Sequence, residues 1–429
     1  MPNGRSPADH VILVSIDALR PEFYLDERWP APVLQQLAAT GARAHAVRSV
    51  FPALTYPSHT SMVTGALPAR HGIYFNHPFC ADGPTERWQW EAERIRVPTL
   101  WDAVRAGGGT TAAVAWPATV GAAIDWNVPD VWPLDPAASI VDAVRAASTP
   151  RLLDELEREA TGRLLPVNFG LDRLAREERV ASMAAYLLER HRPTLLLVHL
   201  IAADHVQHQW GRESPMTRRA VGAVDAALGQ IVERVEALGM WDRVALVVAG
   251  DHGAMDRHTL LRPNVWLVEA GLMEDRPDRG RWRATFHADG GSAFLRLRST
   301  SDEDAVTRVR AVLDALPRAE RELFRIVERA ELDGLGADPE AVFALAAVPG
   351  VELSELPSPP LLAPTQGGTH GYHPDEPQMH SGFVARGAGI RPGAHVPLLP
   401  VQAVASLVAA LLGIPFDAPH AELIPGLVE

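Results

Sequence analysis

Residues 11–17, VILVSID, decide the fold. Five aliphatic residues and one serine run together and stop on an aspartate. A strand with one face in water alternates apolar and polar residues; this one does not. It therefore reads as a strand covered on both faces, the pattern of a parallel sheet. Downstream, PVLQQLAATG (32–41) has helical spacing and a glycine stop. The same alternation returns in the strand-like runs TAAVAW (111–116), TLLLVHL (194–200) and RVALVVAG (243–250). Between them lie the helical patterns EERVASMAAYLLERH (177–191) and RRAVGAVDAALGQIVERVEALG (218–239). Strands alternating with amphipathic helices predict an α/β fold with a mostly parallel sheet, whose functional residues gather at the carboxyl ends of the strands.

From about 256 to 364 the rhythm changes. HADGGSAFLRL (287–297) reads as a strand, DEDAVTRVRAVLDAL (302–316) as a helix and ELPSPPLLAPTQGG (355–368) as an irregular loop. The expectation is one catalytic domain over 1–429, carrying an inserted α+β lid or subdomain at about 256–364 and returning to the main sheet at GFVARG (382–387).

Composition narrows the function. The 429 residues are 47% hydrophobic and 22% charged, which suits a soluble globular chain with a large core. Fifty-three acidic residues against 40 basic ones give −13, which argues against a nucleic-acid duplex as partner. All the basic residues are arginine. Positive charge for an anionic substrate must therefore be local, from a metal ion, a few side chains or a helix N-terminus. The single cysteine, Cys80, excludes an internal disulfide and a cysteine-built metal site. With no secretion signal and no apolar run long enough to span a bilayer, the expectation is a cytoplasmic protein that makes no membrane contact. Nothing in the sequence specifies an oligomeric state.

Four strand ends or glycine-rich turns carry candidate metal ligands. Asp17 ends VILVSID, Asp204 and His208 follow TLLLVHL, Asp251 and His252 follow RVALVVAG, and His370 sits in GGTHGYHP. Asp204 and His208 are one helical turn apart and share a face. Aspartate with histidine suits zinc and also admits manganese or iron. Each fragment alone is more often a helix cap or an ordinary hydrogen-bonded histidine. Their joint order, with the hydroxyl-rich turn FPALTYPSHTSMVTG (51–65) between the first two, is far more specific.

These pieces resemble the nucleotide pyrophosphatase/phosphodiesterase family of the alkaline phosphatase superfamily, in VSIDALRPEF, FPALTYPSHTSMVTGALPARHGIYFN, DHVQHQWG, VVAGDHG and GTHGYHP. The resemblance implies an alkaline-phosphatase-like three-layer α/β/α sandwich and two divalent metal ions, zinc or alternatively manganese. One ion would be held by Asp204, His208 and His370, the other by Asp17, Asp251 and His252, with Thr55 at the metals as nucleophile. Asn76 would contact a non-bridging phosphate oxygen. From the residue itself, Tyr56 would stack on a base or other aromatic leaving group, or else only pack.

The implied activity is hydrolysis of phosphodiester or pyrophosphate bonds in a small nucleotide-like substrate through a phospho-threonine. Phosphonoacetate-type hydrolysis and phosphomonoester hydrolysis are the alternatives. The first is disfavoured because the chain has no lysine for the substrate carboxylate; a non-catalytic metal- or phosphate-binding role fits an intact nucleophile poorly. In the residue reading Tyr56-Pro57-Ser58 opens a helix, and the Tyr56 amide and Asn76 side chain are the donors expected near a reacting phosphate. No arginine accompanies Thr55. His59 is expected to brace the helix, His71 to be a turn residue, and His373 and His380 to orient or rim the His370 site. Trp116 and WNVPDVW (126–132) would line the cleft or serve the core.

Overall fold

Strand β1 (His10–Ile16) lies inside an eight-stranded sheet. The computed structural model describes residues 6–135 and 137–429. The sheet continues with β2 (Ala42–Ala44), β3 (Thr111–Val114), β4 (Trp126–Val128), β5 (Leu195–Leu200), β6 (Val244–Ala249), β7 (Phe383–Gly387) and β8 (His395–Val396). Its order is β8-β2-β7-β6-β1-β5-β3-β4. β6, β1, β5, β3 and β4 run parallel, and β7 returns antiparallel between β6 and β2. Val14 faces Val198 on one side and Val248 on the other, a register that aligns the carboxyl ends of the three central strands.

Seven helices cover or flank this sheet and matter for the site: α1 (Pro32–Thr40), α2 (Thr55–Thr64), α3 (Leu100–Ala106), α4 (Arg173–His191), α5 (Ala202–Trp210), α6 (Pro215–Ala237) and α7 (Ala403–Leu412). Because side chains alternate across a strand, Ile12, Val14 and Ile16 pack with α1, α4 and α6, whereas Val11 and Leu13 pack with α3 and α7. The result is the expected α/β/α sandwich, and both faces of β1 are buried, as its sequence predicts.

Residues 284–347 build a separate four-stranded antiparallel sheet, in the order Ala284–Asp289, Ser292–Leu297, Ala344–Ala347, Phe324–Val327. The stretch read as one strand at 287–297 is in fact a hairpin. Gly290 and Gly291 turn the chain, Gly290 at φ +59°, and Asp289 pairs with Ser292. Glycine pairs favour such two-residue turns because they reach positive φ without a side-chain clash. The expected helix at 302–316 is present as Glu303–Ala315, capped by Asp302. Within 355–368, Leu362–Pro364 forms a short strand against Thr259–Leu261. No helix among the described residues is long and apolar enough to cross a membrane.

Candidate active site

Thr55 opens α2, a helix whose ten residues are all buried. The serine and other threonine hydroxyls of this turn are spent locally. Thr60 and Thr64 donate to carbonyls one turn back, Ser58 pairs with Ser49, and Ser61 meets His71. Thr55 alone among these serines and threonines lines the cleft at the strand ends, with Oγ1 3.2 Å from His252 Nε2.

The strand ends deliver the acids. Asp17 follows β1, Asp251 follows β6, and Asp204 lies in the first turn of α5, just after β5. Asp17, Asp251 and His252 each offer a ligand atom within 4.8 Å of the others, as do Asp204, His252 and His370. His208, one turn beyond Asp204, places Nε2 3.3 Å from its carboxylate.

Three imidazoles are held in one tautomer. His252 Nδ1 donates to Gly253 O (2.9 Å), His370 Nδ1 to Ala53 O (3.1 Å) and His208 Nδ1 to Gly368 O (3.1 Å). A carbonyl only accepts, so each proton sits on Nδ1 and each Nε2 lone pair points at carboxylate oxygens. His252 Nε2 lies 3.4 Å from Asp17 Oδ1 and 3.3 Å from Asp251 Oδ2. Both of those oxygens are buried without a hydrogen-bond partner. Lone pairs converging on lone pairs in a buried site repel unless a cation lies among them. The oxygen and imidazole donors present here fit divalent zinc or manganese.

Electrostatics agree with the geometry. Burial, then the charges of Asp251 and Asp204, push the Asp17 carboxyl well above its usual range. Burial would also raise Asp204, but positive charge on His208 first, then on His370 and His252, outweighs it and holds that carboxyl below the usual range, the same demand for a cation among these groups. His370 is pushed well down, by burial first and then by His252, whose ring stacks on it at 3.8 Å.

Asn76 and Tyr56 meet, but not as two free donors. The Tyr56 amide donates to Asn76 Oδ1 at 2.9 Å, which uses that amide and leaves the Asn76 Nδ2 group as the available donor. The Tyr56 ring is buried yet borders the same cleft as Trp88, which lies against it at 5.4 Å. His59 donates Nδ1–H to the Thr55 carbonyl and braces the helix start. His71 is a buried residue tied to Ser61 and the Ile73 amide, not a simple turn residue. His373 pairs with Glu331 at 3.2 Å. Trp116 is core, whereas Trp132 lines the cleft.

Sequence reading missed three residues. His199, inside β5, sets Nε2 3.3 Å from Asp17 Oδ2 and was hidden by the apolar strand pattern. Trp88 and Arg173 come from a loop and from the first turn of α4, positions without a local motif. With Thr55, Asn76 and Trp132 they border a cleft of about 480 Å³.

Comparison with known proteins follows the same line. The model of the type I phosphodiesterase / nucleotide pyrophosphatase family matches residues 11–373. Human ectonucleotide pyrophosphatase/phosphodiesterase family member 5 is 22% identical over 252 residues, covering 57% of this chain and 44% of the relative. A Bos taurus bis(5'-adenosyl)-triphosphatase is 24% identical over 256 residues, 57% of this chain and 47% of its own length. The chain thus matches about half the length of these curated relatives. Among solved structures, human family member 5 superposes with a TM-score of 0.69 at 19% identity, over 96% of each chain. The murine form, as an inactive variant in complex with AMP, gives 0.67 at 19% identity, over 95% of this chain and 97% of that one. These superpositions establish a common fold.

Proposed function

The chain belongs to the type I phosphodiesterase / nucleotide pyrophosphatase family, and from that premise we propose that it hydrolyses phosphodiester or pyrophosphate bonds in a small nucleotide-like substrate, with Thr55 as nucleophile. The observation that carries the reading is Thr55 Oγ1, at a helix N-terminus, 3.2 Å from the His252 lone pair and beside two acid–imidazole groups. The AMP bound by the murine relative and the triphosphatase activity named for the bovine one support a nucleotide-type substrate.

Asp204, His208 and His370 would hold one divalent ion and Asp17, Asp251 and His252 the other, zinc or manganese. Bound there, the ions would supply the positive charge that lets a threonine hydroxyl ionise near neutral pH and that offsets charge gathering on the phosphate. The chain's own residues do the rest. The Thr55 hydroxyl gives its proton to solvent and its oxygen forms a bond to phosphorus as the bond to the leaving oxygen breaks, and that leaving oxygen takes up a proton from water. Asn76 Nδ2 donates to a non-bridging oxygen, and the Tyr56 amide holds the Asn76 side chain in place. Water then adds to phosphorus, the Thr55–phosphorus bond breaks, and the hydroxyl is restored. Trp88, Asp130 and Trp132, from the loops around 77–97 and 120–135, are the residues that would shape the leaving-group side.

Thr55→Ala tests the assignment. With bis-p-nitrophenyl phosphate in zinc-supplemented buffer, the variant is expected to lose at least ~10³-fold in kcat, the scale of nucleophile deletions. Acid-quenched wild type should carry a p-nitrophenyl phosphoryl group on the peptide containing Thr55 in mass spectrometry. Equal turnover by the two proteins ends the nucleophile assignment.

A further inference from the structure

Arg173 is the first residue of α4, after Asp172, whose carboxylate accepts from the Leu174 and Ala175 amides. Its guanidinium carbon stands 4.0 Å from the centroid of the Trp132 ring. Its Nη1 is buried without a hydrogen-bond partner, and the side chain lines the cleft that contains Thr55. Among the described residues no carboxylate forms an ion pair with it within 4.0 Å.

The acids nearby are engaged elsewhere. Asp130 pairs with Arg176 at 3.3 Å. Glu177 accepts the Ile201 and Ala202 amides at 2.8 and 2.7 Å, and burial pushes its carboxyl up to about 7. Burial likewise pulls the Arg173 guanidinium down to about 10, which leaves it charged at neutral pH. Two guanidiniums therefore face two acids, Asp130 and Glu177, whose carboxyls burial pushes up. This wall is locally positive in a chain of net charge −13. A half-buried guanidinium without a partner is costly, and a planar donor fork matches phosphate and carboxylate oxygens.

We propose that Arg173 is a specificity-determining residue, receiving a second anionic group, phosphate or carboxylate, carried by the organic part of the substrate in the cleft. The Trp132 ring packs against the guanidinium. The proposal rests on the hydrolytic reading above and names the substrate class of that same site. A cationic substituent is disfavoured by the same contacts: Arg173 covers a Trp132 face and Arg176 neutralises Asp130, so an aromatic–acid cage for an ammonium group is already filled from within.

The test uses p-nitrophenyl diesters with one leaving group and three second alcohols: ethanol, glycolic acid and 2-phosphoethanol. Wild type is expected to prefer one of the two anionic diesters over the ethyl diester by about tenfold or more in kcat/KM, as a charge-assisted hydrogen bond allows. The carboxylate and phosphate arms identify which anion it is. Arg173→Gln should abolish that preference through KM, the anionic diester losing about tenfold more than the ethyl diester, and Arg173→Lys should restore part of it. The ratio of charged to neutral substrate does not depend on the fraction of enzyme folded.

Equilibrium binding of phosphoglycolate and ethyl phosphate to wild type and Arg173→Gln, measured by calorimetry, gives the same comparison without turnover. Equal losses on neutral and charged diesters, or no preference in wild type, overturn the proposal and leave Arg173 as a clip between α4 and Trp132. Absence of all turnover together with Arg173-dependent binding of phosphoglycolate overturns the hydrolytic reading and leaves this one standing.

Discussion

Asn76 is where one hydrogen bond divides structure from chemistry. Its oxygen is committed to the Tyr56 amide, and its Nδ2 group is free to act. Asn76→Asp keeps the acceptor and removes the donor. Its melting temperature should stay close to wild type while kcat/KM falls by ~10²-fold or more, the scale of losing one preorganised donor. Asn76→Ala also strands the buried Tyr56 N–H, which adds ~1–3 kcal/mol of destabilisation. Denaturant titration separates the two variants; if both lose only stability, Asn76 has no part in catalysis.

His71 makes a different residue-level prediction. Burial pulls its pKa down to about 3, and the Ile73 amide, donating to Nδ1, needs the neutral ring. Below the ordinary histidine pKa of about 6.5 the unfolded chain binds a proton that the folded chain refuses. This group's share of stability is thus complete above pH 6.5 and drains away as the pH falls toward 3, with roughly 2 kcal/mol gone by pH 5. In His71→Gln, the loss of unfolding free energy between pH 7.5 and 5 should shrink by about that amount. An unchanged pH slope would exclude the assignment.

Thr55 and the acids were legible in sequence because each ends a recognisable strand or opens a helix. Arg173 and His199 were not, since their partners Trp132 and Asp17 are distant in the chain and local pattern carries no signal for such pairs.

At the scale of elements, the Gly290–Gly291 hairpin ties the second sheet to the active site. The Gly291 amide donates to the His370 carbonyl at 2.8 Å, and a Cβ on Gly290 would stand 1.9 Å from that carbonyl oxygen. Gly290 also sits at φ +59°, where a side chain is strained. Gly290→Ala must therefore push the turn or His370 aside. The variant is expected to lose ~1–3 kcal/mol of stability and to bind zinc at least several-fold more weakly, with α/β content by circular dichroism intact. Wild-type zinc affinity in this variant would mean that the hairpin only covers the site.

The glycine pair was visible in HADGGSAFLRL, but the apolar residues on both sides read as one continuous strand. Periodicity reports faces; it does not report where a chain doubles back when both arms are buried. Glu177 shows a similar limit. It caps the start of α5 through the Ile201 and Ala202 amides, a long-range bond from a helix that reads as ordinary amphipathic surface.

For the molecule as a whole, strand order turns a list of residues into a site. β6, β1 and β5 are neighbours and parallel, so the residues following their carboxyl ends, Asp251, Asp17 and Asp204, meet at one edge. The apolar runs predicted each strand; their order did not follow from sequence, because every run is equally buried and equally suited to any central place. What the topology collects is costly. Three acids and three imidazoles that present lone pairs to one another sit in a largely buried site, and Asp17 rises because burial and like charge oppose its ionisation.

Cation binding should therefore stabilise the entire fold. A ligand at one hundred times its dissociation constant adds about 2.7 kcal/mol, which in a chain of this size is a rise of several degrees in melting temperature. Chelation of the purified protein should lower the melting temperature by that amount and zinc should restore it. His370→Ala with Asp204→Asn should start closer to the zinc-loaded value, since two of the groups that need the cation are gone, and should respond to zinc less. If the double variant shows the full wild-type shift on chelation, the stabilising cation is bound somewhere other than between these strand ends.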